Sequence, residues 1–346
     1  FKVEPTRRRK YMKEFFKRTP ELIILLVGII VTYAIMGLFS QLQGNEILSA
    51  NQMWMIVVLS FLFSTLIATV AVVAGIGGGV LFTPVMLAFT SIDTLLIRAT
   101  GLVVAMFSGL ISTGPFMRQG LSDVKIVFYC SIPIVIGAMG GAFGAIHLAS
   151  VMGETGDAIV RLALGGVLVF IATMFIIGGA KTEYPEPKSI DNISKKLGLR
   201  SAYWESSLGK VVEFQATNSL LGFLLFFVVG FTGGFFGLGG GWAVVPVLNL
   251  VMAVPLKVSA ACSGVLLAMG NAAAIWPYIM YGSLIAVLAI PWMLGQVVGG
   301  IFGAYILMKI KAGIVRNILI VILFLTSFKL ISRGIEGIFG INIPFL

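Results

Sequence analysis

The chain has 346 residues, of which 58% are apolar and only 11% charged. A soluble domain carries about 25% charged residues, so a water-soluble globule is excluded. The charges are also clustered: residues 1 to 21 hold 11, residues 181 to 215 hold 11 more, and the other 290 residues share 16. At about 20 apolar residues per span, this predicts an all-α polytopic membrane protein of roughly eight to ten helices. The net charge of +10 does not point to nucleic acid, because the Lys and Arg residues flank apolar spans, where they fix orientation. Cys130 and Cys262 both lie in apolar stretches, which leaves no disulfide framework and no Cys-x-x-Cys metal site.

Four segments follow in chain order. Residues 1–50 comprise a basic N-terminus and an added membrane helix, Glu21 to Ser40, with no small-residue cleavage site after it. Residues 51–180 form a first repeat: an apolar stretch of 40 residues to about residue 90, interrupted by GIGGG at Gly75, then spans near 99–114, 124–149 and 159–179. Residues 181–215 are a linker with the turn signal YPEP and charges of both signs. Residues 216–346 form a second repeat, with GLGGG at Gly237 and spans near 258–281, 284–308 and 313–333.

The two halves match in order. GIGGGVLFTP (Gly75 to Pro84) corresponds to GLGGGWAVVP (Gly237 to Pro246), the helix from Ile132 to that from Ile290, and IVR at Ile159 to IVR at Ile314. Ordered self-similarity of this kind is the mark of a duplicated unit. A 40-residue stretch would make about 60 Å of helix, twice the bilayer core. Each glycine stretch is therefore expected to fold back as a hairpin. With both hairpins and the N-terminus inside, 20 of the 24 Lys and Arg fall on the cytoplasmic face; with single crossings only 14 do. The positive-inside rule selects the hairpins. The halves then run in opposite directions, and inverted repeats broken at glycine are the arrangement of secondary transporters, whose substrate sits where the breaks converge.

Non-helical backbone inside a bilayer survives only when buried in protein or lining a wet cavity. The half-helices expected from near Val80 and Trp242 direct first-turn amides and a positive dipole end at such a cavity, which suits an anion. The candidate substrate-binding residues are Gly77, Gly78, Gly79 and Thr100 from the first half. From the second come Gly239, Gly240, Gly241, Cys262, Ser263, Asn271 and Gln296. Close helix packing is the competing account of the glycines, and Ser or Thr in a span commonly bonds its own preceding turn. Asn271 and Gln296 cannot be satisfied so locally. Ser108 is a further polar residue within a span, Arg98, Arg161, Lys329 and Arg333 are the basic residues left on the outer face, and no Asp or Glu falls inside an expected span. No catalytic set, metal cluster or nucleotide loop is present, so no enzyme activity and no cofactor are expected.

The duplicated GxGGGxxxxP, the Ala99-Thr100-Gly101 segment and the GAMGGAFGA and GQVVGGIFGA helices resemble the TauE/SafE sulfite-exporter family, also called the toluene-sulfonate uptake permease family. The resemblance covers roughly residues 51 to 333. It implies a multi-pass carrier in the cell (inner) membrane, N-terminus cytoplasmic, for small sulfur-containing anions such as sulfite, sulfoacetate or related organosulfonates. The family's threonine is matched at Thr100 but replaced by Cys262 in the second half. Partners are then the small anion, membrane lipid and a coupling ion, proton or sodium. An anion-conducting channel, or a carrier of another small organic acid, is the alternative.

Overall fold

The computed structural model describes residues 50–74, 77–90, 92–118, 120–177, 185, 191–205, 210–307 and 312–341. The expected helix Glu21 to Ser40, together with Gly75 of the first glycine stretch, lies outside them.

Helix α1 (Ala50–Ala74) carries no charge in 25 residues. After the glycine turn, α2 (Gly79–Phe89) contains Pro84, which lacks an amide and frees a carbonyl one turn back. The chain then forms α3 (Thr94–Arg118) and α4 (Val124–Ile177). At 54 residues α4 would extend about 81 Å if straight. Gly153, at φ 52° and ψ −126°, divides it into two arms.

The linker is folded over residues 191–205 and 210–215. Asp191 caps the short helix α5 (Asn192–Leu197), accepting from the Ser194 amide. Strands β1 (Arg200–Glu205) and β2 (Lys210–Gln215) then pair antiparallel, with Arg200 opposite Gln215 and Glu205 opposite Lys210. This hairpin is an addition to the all-helical expectation.

The second half begins with α6 (Ser219–Phe236), which ends at Gly237 with φ 71°. The half-helix expected from Trp242 starts instead at Val244: a single turn, α7 (Val244–Pro246), passes into a π-helical turn at Val247–Val251. The missing Pro246 amide fits this widening, and the Met252 amide reaches back five residues to Val247 O. Helices α8 (Leu256–Met280), α9 (Ala286–Leu307) and α10 (Ala312–Phe339) complete the described chain. Among the described residues, four helices hold a segment long and apolar enough to cross a membrane: Thr94–Ile111, Val124–Met174, Ser219–Phe236 and Leu256–Met280. The molecule is thus a mainly helical, multi-pass membrane protein.

The helices meet in pairs across the two halves. Helix α1 lies along α9 and the first arm of α4 along α6, while α3 packs on α8 and the second arm of α4 on α10. Both of the first two crossings are close because they use glycine. A Cβ on Gly141 would lie 2.1 Å from Phe231 O of α6, and one on Gly299 would lie 2.3 Å from Thr65 O of α1. Small residues at such crossings let backbones approach where hydrophobicity alone gives helices no reason to associate.

One expectation is corrected here. The span expected from residue 159 left every carboxylate outside the helices, yet the second arm of α4 already includes Asp157, inside the apolar segment Val124–Met174.

Candidate functional site

The two glycine turns meet on one face of α3. Gly101, Ala105 and Ser108 are three or four residues apart and so share that face. A Cβ on Gly79 would fall 2.6 Å from Ala105 Cβ and 2.6 Å from Leu238 O, so the first turn touches the second directly. From the other side, a Cβ on Gly239 would meet Ala105 Cβ at 2.8 Å and Asn271 Nδ2 at 3.0 Å. Gly77 and Gly239, equivalent in the repeat, have φ of 77° and 67°, a region closed to most side chains.

Hydrogen bonds lock the junction. The Gly78 amide donates to Ser108 Oγ at 3.1 Å. Thr83 Oγ1 donates to Gly237 O at 2.6 Å, tying α2 to the end of α6. Gln296, on α9, lies against Gly78, where a Cβ would be 2.1 Å from its Oε1. Its Nε2 donates to Ser64 Oγ at 3.1 Å, and Ser64 in turn donates to Trp292 O at 2.6 Å. Because the Ser64 hydroxyl proton is already used, Ser64 Oγ accepts, and the Gln296 amide is oriented with its oxygen toward the first glycine turn.

Two polar atoms here have no partner: Gln296 Oε1 and Asn271 Nδ2. Their residues are 1% and 3% exposed. Leaving such an atom unpaired costs about 1–3 kcal/mol. One is an acceptor and the other a donor, and both belong to residues that lie against glycine turns in mutual contact. With the amides at the very start of α2, ahead of those of Leu81 and Phe82, which already bond Gly78 O, they make a neutral candidate site with both a donor and an acceptor.

The remaining expected residues separate. Gly240 packs against Val229 and Val244, and Gly241 is partly exposed in the turn before α7. Thr100 Oγ1 bonds its own preceding turn at Leu96 O (2.8 Å), and Ser263 Oγ does the same at Ala260 O (2.8 Å). Cys262 packs among Cys130, Val244 and Val258, with Sγ 4.0 Å from Asp123 O. Ser108, a polar residue of an expected span, proves to hold the Gly78 amide, whereas Ser64 becomes visible only in three dimensions, since it contacts Gln296, 232 positions away.

Residues 59–330 match the family described as Sulfite exporter TauE/SafE. The chain belongs to that family. It is therefore a membrane transporter of the TauE/SafE type, and the converging glycine turns lie within the shared region. A relative, the probable membrane transporter protein YunE of Bacillus subtilis (strain 168), is 24% identical over 276 residues, covering 77% of this chain and 94% of its own. No solved structure matches this TauE/SafE chain.

Both ends of the junction carry polar structure. At the hairpin end, Asp123 caps α4 by accepting from the Ile126 amide at 2.9 Å, and Lys125 Nζ donates to Gly198 O at 3.3 Å. At the opposite end, Arg98 is fully buried and its three bonds all go to neutral oxygens: Thr94 O, Thr94 Oγ1 and Phe235 O. Arg333 Nη1 donates to Thr90 O at 2.8 Å, just past the last turn of α2. Arg98 and Arg333 thus serve carbonyls at the ends of α6 and α2, the two helices that flank the glycine turns.

Proposed function

We propose that this transporter carries a small sulfur oxyanion, sulfite, sulfoacetate or a related organosulfonate, bound between the Gly77–Gly79 and Gly237–Gly241 turns. The observation that carries this reading is the pair of orphaned, buried side-chain atoms, Gln296 Oε1 and Asn271 Nδ2, at turns that touch through Gly79 and Leu238. An oxyanion accepts from Asn271 and the α2 amides, and a hydroxyl or a bound water donates to Gln296. The positive end of the α2 dipole favours the negative charge. Thr100, Cys262 and Ser263, which bond their own turns or pack in the core, are not part of this site.

The two halves act as inverted repeats in the cell membrane. The reciprocal pairs α1 with α9 and α4 with α6 support this, because exchanging the halves exchanges the interfaces. Lys125 and the folded linker share one end, which the charge count assigns to the cytoplasm. Access alternates by rocking one repeat against the other, across glycine crossings that keep the moving pairs in register.

The test is counterflow of labelled sulfite and sulfoacetate in proteoliposomes, comparing wild type with Asn271→Leu and Gln296→Leu. Saturable exchange, weakened in both variants, supports the reading. Unaltered exchange in both overturns the site, and non-saturable flux without exchange indicates a pore.

A further inference from the structure

The two unpartnered atoms at the glycine turns make opposite demands on a ligand. Asn271 Nδ2 is a donor, as are the amides at the start of α2, and any oxygen of a sulfur oxyanion satisfies them. Gln296 Oε1 is an acceptor without a partner, on a residue 1% exposed. Its orientation is held from behind: Gln296 Nε2 donates to Ser64 Oγ at 3.1 Å, and the Ser64 hydroxyl is already spent on Trp292 O at 2.6 Å. The amide therefore cannot turn its nitrogen toward Gly78 without giving up that bond. A fully ionised oxyanion carries acceptors only. One of its oxygens set against Gln296 would oppose lone pair to lone pair and leave Oε1 unpaired, at about 1–3 kcal/mol. A ligand that satisfies both atoms must bring a donor of its own.

Charge points the same way. Helices α1, α2 and α9 contain no Lys, Arg, His, Asp or Glu. On α3, which packs against α9, Arg98 lies about two to three turns before Ala105 and Ser108, and its guanidinium bonds away from them to Thr94 and Phe235. Arg118 lies about three turns beyond Ser108. On α8, which carries Asn271, Lys257 and Cys262 lie more than about two turns before it. Tyr278 follows about two turns after, its hydroxyl donating to Gly234 O. Among the described residues, the site thus offers dipoles and no cation. The cost of taking an ion out of water rises with the square of its charge. Dipoles that compensate a monoanion leave a dianion short.

We infer that the anion held between the glycine turns is hydrogensulfite, the monoprotonated form of sulfite. Its S–OH hydroxyl donates to Gln296 Oε1, and its other oxygens accept from Asn271 Nδ2 and the α2 amides. This rests on the anion reading above. The proton is taken up before binding: a sulfite oxygen accepts it from a hydronium ion, leaving water, and sulfur is neither oxidised nor reduced. Proton and anion then cross together, one for one, and no carboxylate is needed at the site to carry the proton. Gln296 becomes the residue that selects the protonation state.

The experiment measures equilibrium binding of labelled sulfite and labelled methanesulfonate to the purified protein. Sulfite passes from hydrogensulfite to the dianion across the neutral range. Methanesulfonate remains a monoanion of similar size with no donor, so it records any titration of the protein itself. From about pH 6 to pH 9, the ratio of the sulfite to the methanesulfonate dissociation constant should rise in wild type, approaching about tenfold per unit at the alkaline end, because only the protonated fraction binds. At the acid end sulfite should bind about tenfold more tightly than methanesulfonate, the effect of one hydrogen bond. In Gln296→Leu, shown to be folded by its melting, that advantage should shrink to less than about threefold. A wild-type ratio that is level or falls with pH means that the dianion fills the site, and overturns the inference alone. An undiminished acid-end advantage in folded Gln296→Leu does the same, and if that variant does not fold the wild-type ratio decides. Absence of saturable binding of either anion at every pH overturns the anion reading with it.

Discussion

Gln296 lies so close to Gly78 that a Cβ at Gly78 would fall 2.1 Å from Gln296 Oε1. One residue belongs to α9 and the other to the turn before α2, so this contact joins the two halves of the chain at the candidate site. Gly78→Ala should therefore destabilise the protein by about 1–3 kcal/mol, the usual effect of overpacking. Gly78→Ala with Gln296→Ala should recover much of that loss, because the clash needs both side chains. Thermal unfolding of the four proteins in one detergent gives the coupling; additive losses would remove the contact from the account.

Asn271→Leu keeps the approximate volume of the side chain and removes its amide donor. If Asn271 Nδ2 bonds the anion directly, the lost charged hydrogen bond should weaken sulfite affinity by roughly ten- to a hundredfold. Stability should hold or rise, because the atom removed has no partner in the ligand-free protein. Titration and melting of the same preparation check both parts. A variant of lower stability and unchanged affinity would contradict the assignment.

Arg333 acts on the other end of the same half-helix. Its bond to Thr90 O satisfies a carbonyl beyond α2 that lipid cannot, so Arg333→Gln should lower stability by about 1–3 kcal/mol. The α2 amides at the site are untouched, and sulfite affinity should change by less than about threefold, well under the effect of one hydrogen bond. A large loss of affinity with unchanged melting would instead make Arg333 part of the anion pathway.

Gly141 and Gly299 sit at equivalent crossings, α4 on α6 and α9 on α1, where an added Cβ would be 2.1 and 2.3 Å from a backbone carbonyl. Backbone cannot swing aside as a side chain does. Alanine at either position should therefore separate the helices and cost about 1–3 kcal/mol or more. Comparable losses in melting of the two single variants would fit matched interfaces; a neutral substitution at one of them would show that the halves are braced differently.

The parts legible in the sequence were those with strong local chemistry. Glycine stretches in apolar surroundings marked the breaks at residues 79 and 237, and the two carboxamides, unable to bond their own turn, marked Gln296 and Asn271. The contacts of Asp157, which accepts from the Thr94 hydroxyl that itself accepts from Arg98, were hidden because Gly153-Glu154-Thr155-Gly156 has the composition of a loop, whereas the backbone departs from helix at Gly153 alone and resumes helix at once. A signal did exist. Arg98, Arg161 and Arg333 were three of the four exceptions to the charge rule, and all belong to one polar cluster. The hairpin was likewise readable from RSAYWE, with two aromatic residues, and KVVEFQ, with two valines and a phenylalanine, separated by only four residues of sequence. Ser64 had no local signal, since its role depends on helices that meet only after folding.

The most direct test of the central claim, an oxyanion held between the two glycine turns, is equilibrium binding of labelled sulfite to purified wild type and to the double variant Asn271→Leu, Gln296→Leu. The account predicts one saturable site per chain in wild type and its loss in the double variant, with both proteins folded by melting. Saturable binding of equal affinity in the two proteins would contradict it.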